Sequence, residues 1–229
     1  MLQDPPLLVV RRAFERPDPA KIAKLAGAQT GHIVDALEGR GALDSAIKAV
    51  DPAKAQFVGV ALPCETGPSD NLAIMAALSL AKPGDVIVAA ADGFLSTAVV
   101  GDNICLMGRN AGLAAIVIDG MARDADGIVG AGLPCFSRGI TPNSCVRSGP
   151  GRVGFPIVAG GVTVRPGDVL VGDRDGVVVV AREMLDTIIQ RLDEIRVAEQ
   201  KVQARIATGL THLESIAELM ASNRVVYVD

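Results

Sequence analysis

Tryptophan is absent and aromatic residues make up only 3% of the 229 residues, although apolar residues reach 49%. The interior must therefore be filled by Val, Ile, Leu and Ala, which suits a sheet covered on both faces and favours an α/β fold. Cysteines are few. Cys64, Cys105, Cys135 and Cys145 are dispersed without a C-x-x-C pair, so no zinc pattern exists. The start, MLQDPPLLVVRRAF, lacks the layout of a signal peptide, and reduced thiols in a cytoplasmic protein are the expectation. No apolar run approaches membrane-spanning length. Positive charge is also short: 22 Lys and Arg stand against 26 Asp and Glu, a net charge of −4. That balance argues against a nucleic-acid or anionic-membrane partner.

The absences continue at the level of chemistry. His32 and His212 are the only imidazoles and no serine stands in a G-x-S-x-G turn, so a hydrolytic triad is poorly supported. The six lysines all lie in polar, helical or turn contexts, not the dry pocket a Schiff base needs. Gly149-Pro150-Gly151-Arg152-Val153-Gly154 matches G-x-G-x-x-G by letters. A proline inside the turn and β-branched residues after it replace the helix that the fingerprint requires, so no nicotinamide or adenosylmethionine site is inferred.

What is present reads as alternating elements. Residues 1–19 carry four prolines and form an arm. Helices are expected over 20–25, 30–39, and 70–81 with Asp70 as N-cap; His32, within the second, reads as a structural side chain. Strands are expected at 55–62, 114–118, 162–164 and 177–180. Pro83-Gly84-Asp85-Val86 recurs as Pro166-Gly167-Asp168-Val169, and the simplest reading is one turn-and-strand device used twice. After residue 181 a long charged amphipathic helix is expected to 207, then a second over 211–220 and a small strand at 225–228. The division is thus an α/β domain with an N-terminal arm over 1–181 and a helical extension over 182–229 that packs on a neighbouring subunit.

The stretch 101–127, GDNICLMGRNAGLAAIVIDGMARDADG, concentrates the charge. Asp102 reads as the cap of a helix over 103–111 closed by Gly112, and the following strand delivers Asp119 and Gly120 to its carboxyl end with Arg123 and Asp124 just beyond. Asp102, Asp119, Asp124 and Asp126 suit magnesium or manganese, which take oxygen ligands. The alternative is a surface Arg123–Asp124 pair worth little.

Asp102, twenty intervening residues and Arg123-Asp124 form a D-x20-R-D arrangement. Together with DALEGRGAL, DNLAIMAAL, PGDVIV, GDNICLMGRNAG, IDGMARDADG and PGDVLVGDRDGVVVV, it resembles the class II 4-hydroxy-4-methyl-2-oxoglutarate/4-carboxy-4-hydroxy-2-oxoadipate aldolases of the RraA-like family. The resemblance implies a β/β/α swivelling-domain core, homotrimers or homohexamers with the site at a subunit interface, and Mg or Mn. It implies that Asp124 binds the metal, directly or through water, and that the metal chelates a 2-oxo acid. Arg123 would stabilise the pyruvate enolate, and N–H groups at Asn103, Ile104 and Cys105 would take the substrate carboxylate. Asp102 would orient a proton-relaying water, and Glu199 would come from an adjacent subunit, as would the contacts to the distal end of the substrate. Oxaloacetate decarboxylation is the related activity expected. The same family name covers RraA regulators that bind an RNA-degrading endonuclease, compact proteins without the long helical arm, and this is the competing expectation.

Overall fold

The structure is a computed structural model, and it describes residues 6–228. Along the chain run β1 (Leu8–Val10), α1 (Pro19–Ala23), α2 (Thr30–Ala36), β2 (Lys48–Ala49), β3 (Phe57–Thr66), α3 (Leu72–Leu80), β4 (Asp85–Ala90) and β5 (Ala98–Val100). Then follow α4 (Asp102–Asn110), β6 (Ala115–Asp119), β7 (Met121–Ala122), α5 (Ala125–Ala131), β8 (Cys135–Ser137) and β9 (Gly139–Ile140). The rest comprises β10 (Gly151–Val153), β11 (Ile157–Ala159), β12 (Val162–Val164), β13 (Val169–Gly172), β14 (Val177–Val180), α6 (Leu185–Ala207) and α7 (Glu214–Met220). The result is a mixed α/β fold with a C-terminal helical segment.

The main sheet runs β1-β10-β3-β4-β6-β8-β2, and β13 joins the first half of β3 and pairs with β14. Strands β3, β4, β6 and β8 are parallel, and the crossovers between them carry α3, α4 and α5. Residue alternation decides which face each side chain meets. Ile87, Ala89, Ile116 and Ile118 pack under the helices with Ile74, Ala77, Ile104 and Ile128. Val86, Val88, Ala115 and Val117 face the other way, against Ile157, Ala159, Val164 and Val179. Both faces are therefore dry, and Phe57 and Phe136 supply an edge-to-face contact. This is how a chain without tryptophan fills its core.

The recurring Pro-Gly-Asp turn is structural in both copies. Asp85 Oδ2 accepts the Lys82 backbone N–H at 2.9 Å and Asp168 Oδ2 accepts that of Arg165 at 2.8 Å. The two turns start β4 and β13, which flank β3 on opposite sides. Arg16 clasps both Asp85 oxygens, whereas Asp168 relies on backbone donors, and burial pushes its carboxyl above the usual range.

Several expectations need correcting. The N-terminal arm, of which residues 1–5 lie outside the described residues, contributes β1 to the sheet edge through parallel pairing with β10. Helix α5 follows Asp124 where no helix was expected, because Gly127 and Gly130 mask its helical pattern. Residues 225–228 form no strand. The change of character after residue 181 is not a change of packing: Leu185, Ile188 and Leu192 of α6 are buried against α2, β13 and β14. The distal part of α6 and α7 stand clear, with Val197, Val202 and Ile206 of α6, Leu213 just before α7 and Ile216 of α7 exposed.

Gly59, buried near the start of β3, has no room for a side chain: a Cβ there would stand 2.6 Å from the Gly84 carbonyl and 2.8 Å from Ala114 Cβ. Gly59→Ala is expected to cost about 1–3 kcal/mol, lowering Tm by several degrees in a calorimetric scan; an unchanged Tm would show that the strands yield.

Candidate functional site

Beyond the carboxyl end of β6 the chain makes a second, smaller parallel sheet, β5-β7-β9. It fixes the two helix starts side by side. Arg123 N–H donates to the Val100 carbonyl at 3.0 Å, so the start of α5 is held next to Gly101, where α4 begins. Gly101 is the N-cap, and Asp102, expected to cap, is instead the first helical residue. Likewise Asn71 occupies the cap position of α3, while Asp70 accepts from Leu72 N–H at 2.8 Å and uses its second oxygen on Ser148 and Gly149 N–H.

Asp124 stands at φ 57°, ψ 49°, a left-handed conformation that an aspartate adopts at a cost of about 1–2 kcal/mol. Its backbone carbonyl accepts Ile128 N–H at 2.9 Å, but its side chain makes no capping hydrogen bond. Two glycines keep the space clear. A Cβ on Gly101 would lie 2.7 Å from Asp124 Oδ2, and one on Gly127 would lie 2.6 Å from Asp102 Cβ.

Gly101, Asp102 and Asp124 line a cavity of about 330 Å³. Asp102, Asn103, Ile104, Arg123 and Asp124 form one side, and Asn71, Ser144, Cys145, Val146 and Arg147 another. Arg123 Nε approaches Asp124 Oδ2 at 3.2 Å and Nη1 donates to Ser144 Oγ. The guanidinium is thus gripped at two points. Asp102 Oδ1 accepts Asn103 N–H at 2.6 Å, and Cys105 N–H bonds the Gly101 carbonyl at 3.2 Å. Of the three amides expected to meet a carboxylate, Ile104 N–H alone has no acceptor among the described residues. Cys105 is buried behind the wall beside Cys135, and their hydrogen bond pushes the Cys135 thiol up.

The aspartates near α4 and α5 do not act as one cluster. Asp119 is spent on structure, accepting from Arg138 Nε and, at 2.7 Å, from Gly160 N–H. Asp126 is exposed in the first turn of α5 and is not part of the cavity wall. Glu199 lies on α6, where its carboxylate pairs with His32 Nε2 and takes a hydrogen bond from Gln203 at 3.1 Å; it does not line the cavity of its own chain. His32 is accordingly a partnered side chain.

Among the described residues no group of three or more His, Cys, Asp or Glu could surround an ion. The cavity offers the single carboxylates of Asp124 and Asp102. That donor set fits magnesium or manganese, which keep several waters and use one or two protein carboxylates, and does not fit zinc.

The family model for RraA-like proteins, described as Aldolase/RraA, matches residues 30–179. The chain belongs to the RraA-like family. A Halalkalibacterium halodurans protein provisionally named 4-hydroxy-4-methyl-2-oxoglutarate aldolase is 35% identical over 82% of this chain and 89% of its own. Among solved structures, Streptomyces coelicolor RraAS2, titled an unusual member of the RNase ES inhibitor RraA family, matches with a TM-score of 0.72 and 29% identity over 83% of this chain and 100% of its own. The RNA-processing inhibitor RraA from Thermus thermophilus matches at 0.61 and 28%, over 67% and 92%. The Streptomyces protein aligns along its whole length and the Thermus protein along most of its own, and each leaves part of this chain unmatched.

Sequence reasoning missed the wall made by residues 144–147. Ser144 pairs with Ala98 and Val146 with Asp70 as isolated bridges, and Asn143 Nδ2 donates to Ser96 at 2.9 Å. The signal was a polar loop between two glycine-marked strands, and such loops often carry sites.

Because its left-handed backbone suits glycine, Asp124→Gly should unfold no earlier than the parent protein in a thermal melt. A drop of several degrees would mean that Asp124 serves the fold.

Proposed function

We propose that this RraA-like chain is a divalent-metal-dependent, pyruvate-releasing aldolase that cleaves a 4-hydroxy-2-oxo dicarboxylic or tricarboxylic acid, with oxaloacetate decarboxylation as a second outcome of the same enolate chemistry. The observation that carries the proposal is the joint presence of Arg123, Asp124 and Asp102 on one cavity, with the guanidinium already held by Ser144 and Asp124. The similarity to the provisionally named aldolase supports it.

In this reading Asp124 would hold the cation, with Asp102 nearby, and a bound divalent cation would supply Lewis-acid polarisation. Arg123 donates to the oxygen that gains charge as the C–C bond breaks. A donor fixed before the reaction stabilises the transition state more than one that must reorganise. Ile104 N–H, at the start of α4, receives the carboxylate at C1. One Asp102 oxygen is engaged with Asn103; the other can hold a water that returns a proton to the enolate carbon. Glu199 is proposed to complete the site across a homotrimer or homohexamer contact, consistent with the exposed apolar residues of distal α6 and α7. In fold terms the proposal is a swivelling-type β/β/α core in a cytoplasmic enzyme; among the described residues no helix is long and apolar enough to cross a membrane.

A second reading, a non-catalytic regulator that binds an RNA-degrading endonuclease, draws on the RraA structural relatives. It requires no use for Arg123 and Asp124 in the cavity. Tight capture of the endonuclease with no pyruvate formed would favour it.

A lactate dehydrogenase-coupled assay over the two 4-hydroxy-2-oxo acids named by the family and oxaloacetate tests the proposal. Arg123→Ala should lose on the order of 10²–10³ in kcat, and Asp124→Gly should be stable and inactive. EDTA should silence the parent protein and Mg or Mn restore it. Parent-like turnover in either variant contradicts the assignment.

A further inference from the structure

Helix α6 parts from the body of the chain at Glu199. Up to that point its inner face is held, with Leu185, Ile188, Leu192 and Ile195 in one apolar cluster with Ile33 and Ala36 of α2. From residue 200 to residue 209 every residue is exposed. The two helices run antiparallel, and a polar contact ties them at either end. At the end of α2, Arg191 Nη1 donates to the Ala36 carbonyl and to Glu38 Oε1, both at 2.9 Å. At its start, His32 Nε2 meets Glu199 Oε2, where the buried face of α6 runs out.

The imidazole is a firm anchor. His32 lies in the first turn of α2, whose start is fastened by Asp173: Oδ2 accepts Thr30 N–H and Oδ1 accepts the Thr30 hydroxyl, each at 2.8 Å. The His32 side chain is largely covered, at 14% exposure, whereas that of Glu199 keeps 38% and is open to a neighbour. An ionised carboxylate only accepts, so His32 carries a hydrogen on Nε2 in either charge state. The other oxygen, Glu199 Oε1, accepts from Gln203 Nε2 at 3.1 Å, one turn further along α6. Each oxygen therefore has a donor and a lone pair to spare.

A glutamate on a bare stretch of helix samples several rotamers, and fixing it costs side-chain entropy each time it is used. A group that takes part in catalysis has to stand within about half an ångström of its working position. A carboxylate that serves a cavity on another subunit must be aimed from its own side. We infer that His32 is a positioning residue, which fixes the Glu199 carboxylate at the point where α6 parts from its own chain and so presents it to the neighbouring subunit's site in one orientation. This rests on the aldolase reading, in which Glu199 completes that site, and deepens it by naming the group of the same chain that aims Glu199.

The test compares the parent protein with His32→Ala, His32→Gln, Glu199→Gln and the double variant His32→Ala/Glu199→Gln. All are assayed as full chains with Mg on 4-hydroxy-4-methyl-2-oxoglutarate, and light scattering gives the assembly mass of each. Glutamine keeps an N–H donor near the place of Nε2. Glu199→Gln is expected to be impaired, and His32→Ala to lose about tenfold or more on the same constant, kcat or KM, that Glu199→Gln moves. His32→Gln should recover most of that loss. In the double variant the loss should equal that of Glu199→Gln alone, because two residues that act as one unit are not additive; a merely structural role for His32 makes the two losses multiply. Multiplying losses, parent-like turnover in His32→Ala beside an impaired Glu199→Gln, or a changed assembly mass in His32→Ala overturns the inference while leaving the aldolase reading in place. Parent-like turnover in Glu199→Gln removes Glu199 from the site, and the inference with it. If the parent protein releases no pyruvate, the aldolase reading itself fails and takes this inference along.

Discussion

The candidate site depends on one backbone constraint. Asp124 is held left-handed between the small parallel sheet and α5, and this conformation sets the direction in which Arg123 and Asp124 leave the chain. With the Val100 carbonyl fixing Arg123 N–H and Gly101 leaving its Cβ space vacant, the carboxylate and guanidinium reach the same cavity. A residue held in a sparsely populated conformation needs surroundings that over-determine it. Here β5, β7 and β9 do so.

The rest of the fold serves that placement. Parallel strands β3, β4 and β6 are clamped by the Pro-Gly-Asp turns, each an aspartate closing on an amide three residues earlier. The sheet is packed on both faces by aliphatic side chains, so its carboxyl ends are held where the helix starts meet. Function is proposed to sit where the packed layers stop and polar groups converge, as in other open α/β sheets. The two charged groups that the scaffold consumes, Asp119 and Arg138, lie at the same end of β6 and tie it to Asp44 and Gly160. They show why an aspartate at a strand end is not by itself a site.

Much of this was legible in the sequence. Periodicity located β3, β4, β6, α3 and α4 to within a few residues, because their apolar runs are long and their boundaries carry Gly, Asp or Pro. The family was readable from ordered motifs, and the D-x20-R-D spacing placed Asp102, Arg123 and Asp124 together before any geometry was known. Other features depend on contacts between distant segments. The edge strand β1 needs β10 to pair with, and α5 is disguised by glycines. The loop bearing Ser144 and Arg147 reaches the cavity only because Ala98 and Asp70 receive it. Asp102 and Asp70 each fell one residue outside the expected cap, since Gly101 and Asn71 take those positions and free the carboxylates for other partners.

The central claim is that Arg123 and Asp124 act on one ligand. A crystal structure with manganese and oxalate, a stable mimic of the pyruvate enolate, tests it most directly. The account predicts the anomalous signal of manganese beside the Asp124 carboxylate and an oxalate oxygen within hydrogen-bond distance of the Arg123 guanidinium. Manganese and oxalate bound away from this cavity, or in it with Arg123 turned aside, would contradict it.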